Sequence, residues 1–324
     1  MLLGLALAPV AYQFEPGVTQ RYDVTVKFEG FLPVLGGNEG VVDVAMGVKV
    51  LGGGAKEQNL KATNELTAFE IKFNEAKLPL TLENAVDYFP LTNITVSPLG
   101  QIVANDAPDK VLPVRLPGLD VKRFPDITYV PIVLPSEGIE TGRSWTFKRS
   151  FGGSDLNYTC TAKNVTEAQA QIEVKIAQEY ETLENEALEV VAKEADAVSR
   201  VKTTMTGQGE VLFDLKVGAP NKVVMVNSAV STVTPLKGGE SKTRSLKSTL
   251  NLKRQGAPTA STAAKPAPAK AATWQDAAVG LWNKAVAGGK QFWASANGYW
   301  TLLQLAFATG FQGLPLPGVF GFKK

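Results

Sequence analysis

From Tyr12 to Arg254 apolar side chains return at every second residue, and that period decides what this chain can build. In "RYDVTVKF" Tyr22, Val24, Val26 and Phe28 share one face, and in "GVVDVAMGVKVLGGG" Val42, Val44, Met46, Val48 and Val50 do the same. A strand turns successive side chains to opposite sides, so this pattern predicts strands with one apolar and one wetter face. "ELTAFEIKF" continues it with Leu66, Ala68 and, after a slip, Ile71. "NITVSPLGQIVAND" reads as two short strands joined by a turn at Ser97-Pro98-Leu99-Gly100. β-branched alternation punctuated by Gly and Pro marks antiparallel sheet.

A second run of strands starts at "VLPSEGIETGRSWTFKRSF" and continues to "SKTRSLKSTLNLKR". Most of these segments are about ten residues or longer, above the usual strand length. The fold class expected is mainly β. Long antiparallel strands would form a large curved sheet, a half-barrel or a sandwich, with a tethered helical tail at the C-terminus. Between the two runs, prolines at 108, 113, 117, 125, 131 and 135 block ladder pairing and regular helix. That middle reads as a loop with a short helix or edge segment covering one end of a sheet. Two further expectations are local. "LENEALEVVAKEADAV" carries a helical stripe of Leu183, Ala187, Val190, Val191, Ala195 and Val198. The glycine pair in "GQGEVLF" reads as a bulge or bend. The runs 12–104 and 141–254 share a loose plan, each opening on an aromatic-bearing strand, and form a body over 12–254.

The first strand around Tyr22, "ITVSPLGQIV", and then "LPSEGIETGRSW" resemble exported bacterial β-rich proteins of unknown function. In these, a proline-rich segment leads into a P…G-x-[ST]-W strand start, matched here by Pro135, Gly142, Ser144 and Trp145. The architecture is also similar to envelope lipoprotein carriers, whose curved antiparallel sheet holds acyl chains. The first resemblance implies export, the second an apolar ligand on the sheet, and neither implies catalytic residues.

The chemistry in the sequence is sparse. There is no histidine, which removes the commonest general base and zinc ligand. The single cysteine, Cys160, sits in an alternating run and reads as a small buried hydrophobe. Gly52-Gly53-Gly54 lacks the lysine–serine pair of a phosphate loop. Glu179, Glu181, Glu184, Glu186 and Glu189 lack cation-loop spacing and read as a solvated face. The net charge of +2 argues against a nucleic-acid partner. No enzyme, metal or cofactor is expected.

The two ends carry the remaining signals. Leu2–Val10 is a short apolar run ending in small residues, which reads as a signal peptide over residues 1–11, with cleavage after Ala8 or Ala11. Residues 255–272 are an Ala/Pro-rich linker. Four of the five tryptophans follow in 273–324, and no charge lies between Lys290 and Lys323. Trp274, Leu281 and Trp282 fall on one face of an amphipathic helix. Phe292, Trp293, Tyr299, Trp300, Leu303, Phe307 and Phe311 suit a membrane interface or a marginal span, a protein partner, or packing back on the chain's own sheet, against which the long linker argues. The expectation is an exported, periplasmic or envelope binding or scaffolding module attached to a membrane by its tail. The alternative is an accessory subunit of a larger membrane assembly, docked through the same tail.

Overall fold

The computed structural model describes residues 10–33, 36–56, 58–86, 89–107, 126–151, 154–257 and 259–260. Residues 1–9 of the signal-peptide reading, residues 108–125 of the proline-rich middle, most of the linker and the whole tail from 273 lie outside them. The long strands are β1 (Val18–Leu32), β2 (Asn38–Lys56), β3 (Asn59–Phe73), β8 (Ser154–Val165), β9 (Gln169–Glu184), β11 (Ser199–Asp214), β12 (Ala219–Pro235) and β13 (Lys242–Arg254). Shorter ones are β4 (Ala76–Lys77), β5 (Thr92–Val96), β6 (Ile102–Asn105), β7 (Ser144–Phe151), β10 (Val190–Val191) and β14 (Thr259–Ala260). Two single-turn helices, α1 (Leu82–Ala85) and α2 (Asp126–Tyr129), complete the set.

All fourteen strands belong to one sheet, ordered β6-β5-β3-β2-β1-β13-β12-β11-β9-β8-β7, with β4, β10 and β14 as side pairings. Every pairing along that path is antiparallel. The two runs of strands therefore meet at β1–β13, where Tyr22 faces Arg254 and Phe28 faces Ser248. β6 and β7 do not pair with each other, so the sheet is not closed.

Register turns the alternation into horizontal rows on the inner face. One row runs Met46, Val24, Leu252, Val223, Val211, Ile172, Ala162. The next runs Ile71, Val44, Val26, Leu250, Met225, Gly209, Val174, Cys160, Trp145. A third runs Phe73, Val42, Phe28, Ser248, Asn227, Gly207, Ile176, Tyr158, Phe147. The outer face is wet and laced by exposed pairs such as Lys49–Glu65, Lys163–Glu173, Arg200–Glu181 and Lys202–Glu179. Such pairs contribute little to stability, but their charges keep this side of the strands in water.

The gap between edges β6 and β7 is bridged by the residues after the proline-rich middle. Asp126 accepts from Asn64 Nδ2 at 2.6 Å and from Asn105 on β6. Leu134 donates its backbone N–H to Leu99 O in the β5–β6 turn. On the other side Trp145 Nε1 donates to Val133 O, and the Arg149 guanidinium donates to Val130 O and Pro131 O. Residues 126–134 thus tie the two edges together mostly through side chains, with one backbone bond from Leu134, as a proline-bearing segment does when it cannot join a ladder. The P…G-x-[ST]-W pattern becomes the exit from this strap: Gly142 donates to Ala162 O, Ser144 pairs its hydroxyl with Thr161, and Trp145 holds the strap. The expectation of a middle segment covering one end of a sheet matches residues 126–134.

Three local expectations are corrected. "ENEALEVVAKEADAV" forms no α-helix. It makes a turn capped by the Asn185 side chain, the short β10 and a single 3-10 turn at Glu194–Asp196. Asn185 offers its carbonyl to the N–H groups of Ala187 and Glu189, a local bond that competes with helix. The glycine pair 207 and 209 makes no bulge: both keep register with β12 and β9, and the register shift falls at Leu212/Phe213. The glycines are needed for close approach: a Cβ on Gly209 would lie 2.0 Å from Val224 O. The slip in β3 is real, with register shifting at Gly47/Val48, but it leaves Ala68 exposed and turns Phe69, Ile71 and Phe73 inward.

Candidate functional site

The inner face divides into three zones along the strands. At the end nearest Tyr22 it is filled. Residues 10–17 and the strap lie on it, and Tyr12 donates its hydroxyl to Ile132 O at 2.8 Å. The Tyr12 ring meets Phe213 edge-on at 5.1 Å, and Tyr22 stacks on Tyr129 at 6.2 Å. Offset and edge-to-face arrangements suit the ring quadrupoles. Below these rings Asn64, Thr92, Asp126 and Tyr129 form a buried polar cluster, with Tyr129 Oη donating to Asp126 Oδ1 at 2.8 Å.

This end holds titratable groups that burial silences. Burial raises Tyr12 and Tyr22 above the ordinary phenol value, and burial followed by the Asp126 charge raises Tyr129 well above it. On the neighbouring strand β8, burial pushes the Cys160 thiol up to about 12. All stay protonated near neutrality, so none supplies a phenolate or thiolate nucleophile there. The expectation of a buried Cys160 matches its full burial.

In the middle zone the packing is incomplete. Val44, Ile71, Met225 and Leu250 lie on one row and Phe73 on the next, and all five are only half-buried. Beside them Asn227 donates through Nδ2 to Ser248 Oγ at 3.1 Å, while its Oδ1 is buried without a hydrogen-bond partner. Here an apolar strip carries a polar mark at one edge.

At the far end the inner face turns polar. Tyr180, Thr203, Ser231 and Arg244 form a row, and Thr203 and Ser231 share a hydrogen bond of 2.8 Å. They line a half-open cavity of about 30 Å³ with Glu184, Phe31 and Leu246. That is room for about one or two waters, not for an acyl chain. Glu184 accepts from Arg244 Nη1 at 2.7 Å, and the Arg244 guanidinium lies 4.3 Å from the Phe31 ring centre. Of the acidic run, Glu179 and Glu181 face solvent as expected, while Glu184 is buried. Sequence reasoning missed the Glu184–Arg244 pair. The available signal was parity: Glu184 falls in step with inward-facing Ile176 and Tyr180.

Trp274, Leu281, Trp282, Phe292, Trp293, Tyr299, Trp300, Leu303, Phe307 and Phe311, the residues expected to contact a membrane or partner, all lie outside the described residues. Among the described residues no helix is long and apolar enough to cross a membrane. Among the same residues no group of three His, Cys, Asp or Glu side chains could hold a metal ion.

No protein-family model matches the chain, and no curated protein matches it. A solved structure concerning lipid–protein interactions in lipovitellin is similar over 79% of this chain, at 13% identity and a TM-score of 0.47. This chain spans only 27% of the length of that one.

Proposed function

We propose that this chain is an exported, non-enzymatic binding or scaffolding module that holds an apolar ligand on the middle zone of its inner face. Its tail, residues 273–324, attaches it to a membrane. The observation that carries the ligand reading is that Val44, Ile71, Met225 and Leu250 stay half-buried on a row whose Val26, Val174 and Cys160 are buried, beside a neighbouring row that is fully packed. Covering such side chains contributes about 25 cal/mol for each Å² removed from water, and a ligand gains it without rebuilding the core. Export is consistent with cleavage after Ala8 in particular. Val10 packs against the core, and cleavage after Ala11 would remove it.

The test is titration of the detergent-free full chain with a fluorescent fatty acid. Ile71→Asp and Met225→Asp should each weaken binding at least about tenfold, since each introduces a charge to be desolvated under the ligand. Val230→Asp, at an outer-face residue that is 50% exposed, should leave it unchanged. Equal effects from all three would reject the strip.

A second reading is favoured by the filled end. Tyr22 and Val24 are buried beneath the cluster that holds Tyr12, Phe14 and the strap, so that end of the inner face is core. A module of that kind also suits an accessory subunit docked on a membrane assembly through its tail. Replacing Trp293, Trp300 and Phe307 by Ser releases the protein under either reading. Reconstitution into protein-free vesicles separates them, because only the membrane-anchored form binds there.

A further inference from the structure

The contacts that close the far end reach across the sheet. Glu184 and Arg244 lie on β9 and β13, with β11 and β12 between them. In a flat sheet, three inter-strand gaps and two rows would hold their Cα atoms about 20 Å apart. The side chains nevertheless meet at 2.7 Å. The sheet is therefore curled here, and the pair lies as a chord across its mouth. Gly30, at φ +119°, turns the end of β1, where a Cβ would lie 2.4 Å from Ser245 O. Phe31 follows and covers the Arg244 guanidinium. One residue of the β1–β2 turn also reaches the β9–β10 turn: a Cβ on Gly37 would stand 2.8 Å from Leu188 Cδ1. The polar cavity lies directly behind these contacts, with Val201, Thr203, Ser231 and Leu246 in its wall.

We propose that Glu184, Arg244 and Phe31 form a releasable brace that shuts the far mouth of the inner face and sets how fast an apolar ligand reaches the strip. The inference rests on the ligand reading above. The chemistry suits release. Glu184 and Arg244 are 10% and 19% exposed, so the pair has given up most of its hydration to form. Both groups recover that hydration when the mouth opens, which offsets much of the lost attraction. The Tyr22 end also holds polar groups, the Asp214–Arg254 pair and the Asp126 cluster, but opening it would in addition expose the Tyr12, Phe14, Tyr129 and Phe213 rings, which water does not compensate. Of the two ends of the inner face, the far one is therefore the easier to open.

The experiment uses the full chain and the double variant Glu184→Gln/Arg244→Met, which leaves no unpaired buried charge. Phe31→Ala is the second variant, and thermal melting by circular dichroism checks folding of each. The first readout is carbene labelling of Leu246 and Val201 without ligand. The second is the stopped-flow rate of uptake of a fluorescent fatty acid. Labelling should rise at least about threefold, as for a local opening made easier. The uptake rate should rise about tenfold while the equilibrium affinity changes by less than about threefold, the signature of a gate rather than a contact. Unchanged labelling in both folded variants overturns the brace, whatever happens to uptake. Increased labelling with an unchanged uptake rate overturns its role as the entrance. Increased labelling with no fatty acid bound by any form supports the closure and rejects the ligand reading instead.

Discussion

The Tyr22 end and the Arg244 end of the inner face are built on the same strands with the same alternation, yet they are closed by different physics. At the Tyr22 end, rings of Tyr12, Phe14, Tyr129 and Phe213 fill the concavity, and the strap crosses it. At the Arg244 end a single ion pair and one ring span the mouth over a small cavity. The rings make their end a core, because opening it exposes aromatic surface to water along with the Asp126 cluster and the Asp214–Arg254 pair. Charge bracing makes its end separable, because water competes for both partners. Between them lies the half-buried strip, which belongs to neither closure.

The largest expected effect comes from deleting a ring at the filled end. Phe213 is fully buried, so Phe213→Ala should cost about 3–5 kcal/mol in urea unfolding. Leu250→Ala, on the half-buried strip, should cost about 1–2 kcal/mol, since less area is lost and the site can relax. Equal costs would erase the distinction between core and strip.

The polar cluster beneath the rings sharpens the same contrast. Tyr129→Phe removes the hydroxyl that donates to Asp126. It should cost about 1–3 kcal/mol, because the buried carboxylate loses a donor it cannot replace with water. A neutral result would mean that this end is wetter than its packing implies.

A smaller effect is expected in acid. Burial alone would raise the Asp214 carboxyl, but the hydrogen bond from Arg254 and those from the N–H groups of Val217 and Lys216 outweigh it and hold it below the usual aspartate value. A carboxyl depressed on folding contributes stability that is complete above its unfolded value, about 3.9. That stability is lost as pH falls through the lower folded value. Asp214→Asn should therefore flatten the acid limb of a stability–pH curve below about pH 4. The limb above it should keep its shape, and an unchanged acid slope would remove Asp214 from the account.

Much of the sheet was legible because period two is a strong signal in strands this long. Tyr22, Val24, Val26 and Phe28 are all buried on one side, and the Ser97–Gly100 turn joins two short strands as its residues imply. The failures have local causes. The stripe from Leu183 to Val198 fits a helix by spacing, but Asn185 captures the backbone into a turn before a helix forms. Ala68 follows the alternation on paper, and the extra residue at the bulge turns it outward. The strap could be placed over one end of the sheet but not assigned its anchors. Trp145, Arg149 and Asp126 act through side-chain bonds to residues distant in sequence, which no periodicity records. The candidate strip was foreseen only as an apolar inner face. Which of its rows stays half-covered depends on where residues 10–17 and the strap lie.

Three inner-face methionines report on that division directly. Met46 lies in the filled row and Met205 beside the polar end, both buried, while Met225 lies half-buried on the strip. Peroxide oxidises a thioether at a rate set by access. Mass spectrometry of the native full chain during peroxide exposure should show Met225 oxidising at least about tenfold faster than Met46 and Met205. A bound fluorescent fatty acid should slow Met225 alone. Oxidation of Met46 or Met205 as fast as Met225, or a Met225 rate that the fatty acid leaves unchanged, would contradict a core closed at one end beside an accessible apolar strip.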